Sequence, residues 1–227
     1  MFGHLQSEMD NESLVEIIRN KPFYLNFKSP RDERVLTAMN KVDRGKFLLD
    51  QFLAYEDNPV SIGYEQNCSE PSMVAFMDDI LELQPGMNVL EIGTGCGYHA
   101  AVTSHLIGKS GHLITIEYLE ALTVLAKRNL AAHFGQELSS RITILNGDGS
   151  AGYNKKAPYD RIYLTAGVEC GSFNPDILAN QLNPKRGILL FPEIEGALFK
   201  QTYHNRIKMY EQSFNDVIFV PLKGKNS

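Results

Sequence analysis

A short apolar run, Asn88 to Ile92, breaks into Gly93-Thr94-Gly95-Cys96-Gly97 and then into a helix-like stretch from Tyr98 to Ile107. A strand that ends in glycines and feeds a helix constrains the fold of these 227 residues more than any other feature, because it is the turn of a strand–helix–strand crossover. The pattern then repeats. His112 to Ile116 is a second strand ending at Glu117, and Leu119 to Phe134 a helix. Arg141 to Leu145 is a third strand, closed by Gly147-Asp148-Gly149. Asp160 to Thr165 is a fourth strand, Pro175 to Leu182 a helix and Gly187 to Phe191 a fifth strand. Alternation of this kind predicts an α/β, doubly wound, mostly parallel sheet, with ligands gathered at the carboxyl ends of its strands. Ala197 to His204 and Asp216 to Pro221 add two strands with no helix between them, so the sheet is expected to have seven strands and an antiparallel C-terminal edge.

The first 84 residues read differently. Glu12 to Arg19 has helical spacing with Leu14, Ile17 and Ile18 on one side, and Pro30 to Lys41 a second helical stripe of Val35, Leu36 and Met39. Gln51 to Gly63 shows no period and is expected to be extended or looping. Ser69-Glu70-Pro71 looks like a helix start, with Ser69 as N-cap, ahead of Met73, Val74, Met77, Ile80 and Leu81. Residues 1–84 are thus a helical and loop segment packed on a core of residues 85–227, effectively one domain.

A net charge of -5 argues against a broad nucleic-acid surface, no apolar run reaches membrane-spanning length, and Met1 to Asn20 lacks a secretory pattern. The three cysteines, Cys68, Cys96 and Cys170, form no metal-binding spacing and are expected to be reduced thiols of a cytoplasmic protein with no metal site. The tail from Lys223 to Ser227 is expected to fray.

The chemistry is carried by three strand ends. Glycines at 93, 95 and 97 let a ligand approach the backbone, and the helix N-terminus behind them offers free N–H groups to a carboxylate or phosphate. A tight turn alone explains such a loop equally well. Glu117 can accept the two hydroxyls of a ribose, or be a solvated acid. Asp148 can accept from an adenine amino group, or be a turn residue. At successive strand ends the three make one crevice for an adenosine. The G-x-G-x-G form and Glu91, whose carboxylate can reach a sulfonium or an amino group, favour S-adenosylmethionine over NAD, although an acid on the second strand also suits NAD.

Several segments carry a resemblance. They are Val42-Asp43-Arg44 with Phe47, Ala54-Tyr55-Glu56-Asp57, Ile62-Gly63, Gln66, Ser69-x-Pro71-x-Met73-Val74-Ala75, Val89 to Tyr98, Gly147-Asp148-Gly149, Ala157 to Asp160, Gln181-Leu182 and Phe219 to Leu222. In these the chain resembles the protein-L-isoaspartate O-methyltransferases, Rossmann-like enzymes dependent on S-adenosylmethionine. The resemblance implies a cytoplasmic, monomeric enzyme that methylates the abnormal carboxylate of isoaspartyl peptides and proteins, leading to repair through a succinimide. By motif it sets Ser69 at the active-site serine. Gly93, Thr94, Gly95, Glu117, Asp148 and Gly149 fall at cofactor positions, to which we add Glu91, Cys96, Gly97 and Ser150. Asn67 is expected to help Ser69 orient the substrate carboxylate. Where the family reads Thr-Ile-Ser-Ala-Pro-His, this chain has Asn67-Cys68-Ser69-Glu70-Pro71-Ser72, so Glu70 adds a negative charge beside the site. A related O-methyltransferase for another carboxylate, or a non-catalytic binding module, are the competing readings.

Overall fold

The structure is a computed structural model that describes residues 10–21, 33–51 and 53–226. Helix α1 spans Asn11–Arg19, with the Asp10 side chain accepting from the Ser13 N–H at its start. It buries Leu14, Val15 and Ile18, whereas Ile17, expected on the same side, is 42% exposed. Helix α2, Glu33–Lys41, buries Val35, Leu36, Ala38 and Met39; the first residues assigned to it from sequence, 30–32, lie outside the described residues. The stretch before Gly63 resolves into turns and a strand, β1 (Val60–Gly63), which pairs antiparallel with β2 (Gln66–Cys68).

Helix α3, Pro71–Ile80, corrects the expected cap. Its N-cap is Glu70, whose side chain makes no cap bond, with Pro71 in the first turn; the Asp57 carboxylate accepts from the Ser72 N–H at 2.8 Å. Ser69 therefore stands just outside the helix. Proline at the first helical position removes an N–H that had no partner anyway, so the helix starts there without a serine cap.

The large sheet has the order β5-β4-β3-β6-β7-β8-β9. Its strands are β3 (Asn88–Ile92), β4 (His112–Glu117), β5 (Ile142–Asn146), β6 (Arg161–Leu164), β7 (Gly187–Pro192), β8 (Glu195–His204) and β9 (Ile207–Ile218). The first five in this order are parallel and the last two antiparallel. Strands β6 and β7 are buried along their whole length, as parallel strands covered on both faces must be. Alternation sends Val89, Tyr163, Ile188 and Leu190 into one core, shared with α1 to α3, and Leu90, Ile92, Ile162, Leu164, Leu189 and Phe191 into the other. The linking helices include α4 (Tyr98–Ile107), α5 (Glu120–Phe134) and α6, which is a single turn, Asp176–Ala179, instead of the expected Pro175 to Leu182. The last strand also differs: β9 begins at Ile207, straight after the turn at Asn205 and Arg206, whose φ values of 50° and 63° are those of a tight hairpin.

The chain runs from β3 outward to β5 and then crosses back to β6 on the other side of β3. The loops after β3 and β6 therefore diverge at a topological switch point, the place where such sheets bind ligands. No helix among the described residues is long and apolar enough to cross a membrane.

Truncating a central strand should cost far more than truncating the surface. Ile162→Ala, at a fully buried position of β6, is expected to lower the unfolding free energy by about 3 kcal/mol. Val124→Ala, on the exposed face of α5, should change it by less than about 0.5 kcal/mol. Urea unfolding followed by circular dichroism reads both.

Candidate active site

The loop between β3 and α4 is held from three sides. The Gly93 N–H donates to the Ile116 carbonyl at 2.8 Å, and the Thr165 hydroxyl donates to the Gly93 carbonyl at 2.7 Å. Thr94 and Thr115 hydroxyls meet at 2.6 Å. Gly93 has φ +95°, and a Cβ there would stand 2.3 Å from the Thr165 hydroxyl oxygen, so no other residue suits the position. Gly97 sits at the helix start with φ +89° and presses against Leu130 of α5.

Glu117 closes β4 and turns back over this loop. Its Oε2 accepts from the Thr94 and Gly95 N–H groups at 3.0 and 2.9 Å, and its Oε1 from the Leu119 N–H at 2.9 Å. The amides expected to meet a ligand carboxylate thus hold one from the chain itself, which shows that the loop forms an anion-binding nest. Oε1 keeps an open acceptor position, as a partner for a ribose hydroxyl requires.

At the end of β5, Asp148 Oδ1 accepts from the Ser150 N–H at 2.9 Å and its hydroxyl at 2.6 Å. The tail, expected to fray, is bonded to this strand end at residues 225 and 226. The Lys225 N–H donates to Asp148 Oδ2 at 2.9 Å and the Asn226 N–H to the Ser150 hydroxyl at 3.1 Å. Against burial, the bonds from Ser150 and Lys225 hold the Asp148 carboxyl below its usual range. Gly149 packs on Ile92 and Ile116, where an added Cβ would come within 2.9 Å of Ile92. Gly93, Gly95, Glu117, Tyr118, Leu119 and Gly149 line one hollow of about 60 Å³. That is well short of the roughly 300 Å³ of a ligand pocket, and Tyr118, Leu222 and Lys223 stand at its wall.

Glu91, expected at the cofactor, is not among the residues that line this hollow. Strand alternation sends its side chain to the same face as Val89, beneath α4. There it is fully buried: Tyr163 donates to Oε1 at 2.8 Å, and the Thr115 hydroxyl donates to Oε2. Burial pushes its carboxyl up to about 7. The Tyr163 hydroxyl lies 2.9 Å from that of Thr103, which donates to Asp78 Oδ1 at 3.0 Å; the same oxygen lies 3.2 Å from His99 Nε2. Burial pulls the His99 ring down, but the Asp78 carboxylate outweighs it and holds the ring above its usual value. His99 is therefore paired with Asp78 and lines a small hollow with Cys68, Ser69 and Thr94. No spacing in the sequence links residues 78, 91, 99, 103 and 163; only the sheet brings them together.

The substrate side is built on the β1–β2 hairpin. Asn67 is exposed, Ser69 half-buried, and the Ser69 hydroxyl has no hydrogen-bond partner among the described residues. Both line a cleft of about 630 Å³ with Pro59, Glu70, Met73 and Thr165, closed by the 216–221 segment. Asn67 and Thr165 line this cleft and both smaller hollows, so cofactor and substrate sides are continuous. The Glu70 carboxylate accepts from the Ser72 hydroxyl at 3.0 Å, which also takes a bond from Lys21 at 3.2 Å. Cys96 is buried under the loop; the Cys68 thiol is drawn down to about 7 by its hydrogen bond with Cys96, with Arg44 assisting, while Cys96 is pushed up.

Comparison with known proteins bears on this geometry. A family model described as protein-L-isoaspartate(D-aspartate) O-methyltransferase matches residues 9–227. The chain is 40% identical over 223 residues to a protein-L-isoaspartate O-methyltransferase of Methanothrix thermoacetophila, covering 96% of each. It is 46% identical over 197 residues to one of Methanococcus vannielii, covering 85% of this chain and 90% of that one. A solved protein-L-isoaspartate O-methyltransferase superposes with a TM-score of 0.79 at 26% identity, over 95% of this chain and 67% of the other. A Plasmodium falciparum structure described as such an enzyme in complex with S-adenosyl-L-homocysteine shares the fold, with a TM-score of 0.79 at 24% identity, over 95% of this chain and 99% of that one.

Two substitutions probe the loop and the acid behind it. Gly93→Ala is expected to weaken S-adenosylhomocysteine binding at least about tenfold in calorimetry, through backbone strain and the clash with Thr165. The Glu91 carboxyl has a folded value of about 7 against an ordinary 4.5, so the native state holds its proton more tightly. Its stabilising contribution is full below about pH 4.5 and is lost as pH rises through about 7. Glu91→Gln should therefore shrink the loss of stability between pH 5 and pH 8 by about 2 kcal/mol in urea titrations.

Proposed function

Because the chain belongs to the protein-L-isoaspartate(D-aspartate) O-methyltransferase family, we propose that it methylates the free carboxylate of L-isoaspartyl residues in damaged proteins and peptides. The observation that carries this reading is the continuous crevice, with the glycine loop and Glu117 at one end and the Ser69 hydroxyl in a peptide-sized cleft at the other. S-adenosylmethionine, when bound, supplies a sulfonium methyl that the substrate oxygen takes as the carbon–sulfur bond breaks, leaving S-adenosylhomocysteine. The glycine loop, Glu117, Asp148, Gly149 and Ser150 would hold it: Glu117 through the ribose hydroxyls and Asp148 through the adenine amino group.

The chain's own task is alignment. A carboxylate is already ionised at neutral pH, so no residue has to remove a proton. Ser69 donates a hydrogen bond to one carboxylate oxygen, and Asn67 reaches it from the hairpin. The other oxygen is left pointing towards Thr165 and the loop. Holding it near about 3 to 3.5 Å from the methyl carbon is the main catalytic gain. The ester product then closes on the neighbouring backbone nitrogen with loss of methanol, and water opens the resulting succinimide to give some normal aspartate. The same reading makes the protein a monomeric enzyme of the cytoplasm.

The test is transfer of labelled methyl to an isoaspartyl peptide beside its aspartyl twin. The isoaspartyl peptide alone should be labelled; negligible labelling of both would sink the reading. Ser69→Ala should cut kcat/KM for the peptide roughly tenfold to a hundredfold, the worth of one hydrogen bond to a charged group, without changing S-adenosylhomocysteine affinity.

A further inference from the structure

Arg44 is among the largest fully buried side chains of the described residues, and it lies beneath the Ser69 loop. Its Nη1 donates to the carbonyls of Ala54 and Glu56 at 2.9 and 3.1 Å, and its Nη2 to those of Asn58 and Ser69 at 3.0 and 3.1 Å. One guanidinium thus gathers the 53–58 turn and the Ser69 backbone into a single unit. Its ring neighbour is Tyr98, with the guanidinium carbon 5.8 Å from the ring centroid. Its Nε is buried with no hydrogen-bond partner.

The charge balance is unusual. Among the described residues no carboxylate pairs with Arg44, although every other arginine that forms an ion pair does so at the surface or beside Glu137. Carbonyl oxygens meet both terminal nitrogens, leave Nε without a partner and do not neutralise the charge. A buried cation without an anion is costly, and a fold that keeps one gains when an anion arrives. The nearest place for an anion to arrive is the cleft at Ser69, whose backbone Arg44 already holds.

We propose that Arg44 is a positioning residue for methyl transfer: it fixes the Ser69 backbone and supplies the unneutralised positive charge against which the substrate carboxylate is bound. This rests on Ser69 meeting that carboxylate. The guanidinium does not touch the substrate; it acts through the Ser69 carbonyl and through its field across one residue of the loop. The field reaches that far, since it helps to draw down the Cys68 thiol beside Ser69. The two roles separate by substitution. Arg44→Lys keeps the charge and loses the planar fork, whereas Arg44→Gln keeps amide donors and loses the charge.

The experiment measures competitive inhibition of the full enzyme by two peptides that differ only at the reactive residue, one isoaspartyl and one isoasparaginyl, with kcat and S-adenosylhomocysteine affinity alongside. The native enzyme should prefer the carboxylate over the amide. Arg44→Lys should keep that preference while kcat falls, because Ser69 is held less firmly. Arg44→Gln should lose the preference by about tenfold, with S-adenosylhomocysteine affinity changed less than about twofold. Equal preference in native and Arg44→Gln enzyme would overturn the inference and leave Arg44 a purely structural clamp. Should Arg44→Gln fail to fold, loss of the preference in Arg44→Lys overturns it instead, since that variant retains the charge. If Ser69→Ala retains full rate, the Ser69 reading itself fails, whatever the Arg44 variants do.

Discussion

The crevice of this protein depends on the bond between the Glu117 carboxylate and the amides of Thr94 and Gly95. It joins the end of β4 to the turn after β3, the strand at which the sheet reverses its winding. With Thr165 bonded to Gly93 from the β6 side, the turn is fixed between its two neighbouring strands. The glycines give it the necessary backbone angles, but those angles alone would leave it one conformation among several. The flanking strand ends select which one is kept, and the helix dipole of α4 adds to the attraction for any negative group placed there.

Much of this was legible in the sequence, and the reasons differ by element. Strands β3 to β7 announce themselves because both faces are buried, so their apolar runs are nearly unbroken. Strand β9 hides, because it is an exposed edge whose residues 207–213 carry Lys208, Glu211, Gln212 and Ser213; its pairing with β8 is made by the backbone. The Asp148 clamp was invisible for the same reason: the donors are the N–H groups of Lys225 and Asn226, and no side-chain pattern encodes them. The Ser69 cap failed because two start signals stood side by side, and Pro71 with Glu70 set the boundary.

The surroundings of Glu91 were hidden for a different reason. A glutamate two residues before a glycine loop looks like a ligand for that loop when the chain is read as a line. On a strand, residues 89 and 91 share a face, and Val89 lies in the core packed by α1 to α3. The period-two rule, applied to this one side chain, would have placed it inside. What no rule would have supplied is its company. Thr115, Tyr163, Thr103, Asp78 and His99 come from β4, β6, α4 and α3, and their bonds form only when all are in place; Asp78 Oδ2 alone of that carboxylate is left without a partner. Such a network is costly if partly formed, so it specifies how α3 and α4 sit on the sheet more sharply than apolar packing does.

Buried charge therefore stands on both sides of the glycine loop, and it is handled in opposite ways. Beneath α4, two carboxyls face one histidine, and burial raises the Glu91 carboxyl so that a proton removes the excess charge. Below Ser69 the guanidinium of Arg44 has no such escape, because an arginine does not release its proton under any condition a folded protein meets. The first cluster can reach neutrality with what the chain contains. The second has, beside the Cys68 thiol that it helps to draw down, no carboxylate paired with it among the described residues, so an anion from outside is favoured there. A site whose substrate is a carboxylate and whose methyl donor is a cation has a use for that asymmetry. The fixed positive charge draws the carboxylate into the cleft, and Ser69 then needs to set only its orientation. On this account the Asn67–Ser72 segment can differ from the Thr-Ile-Ser-Ala-Pro-His pattern that the resemblance implies and keep the chemistry, because the charge that binds the substrate comes from beneath the loop.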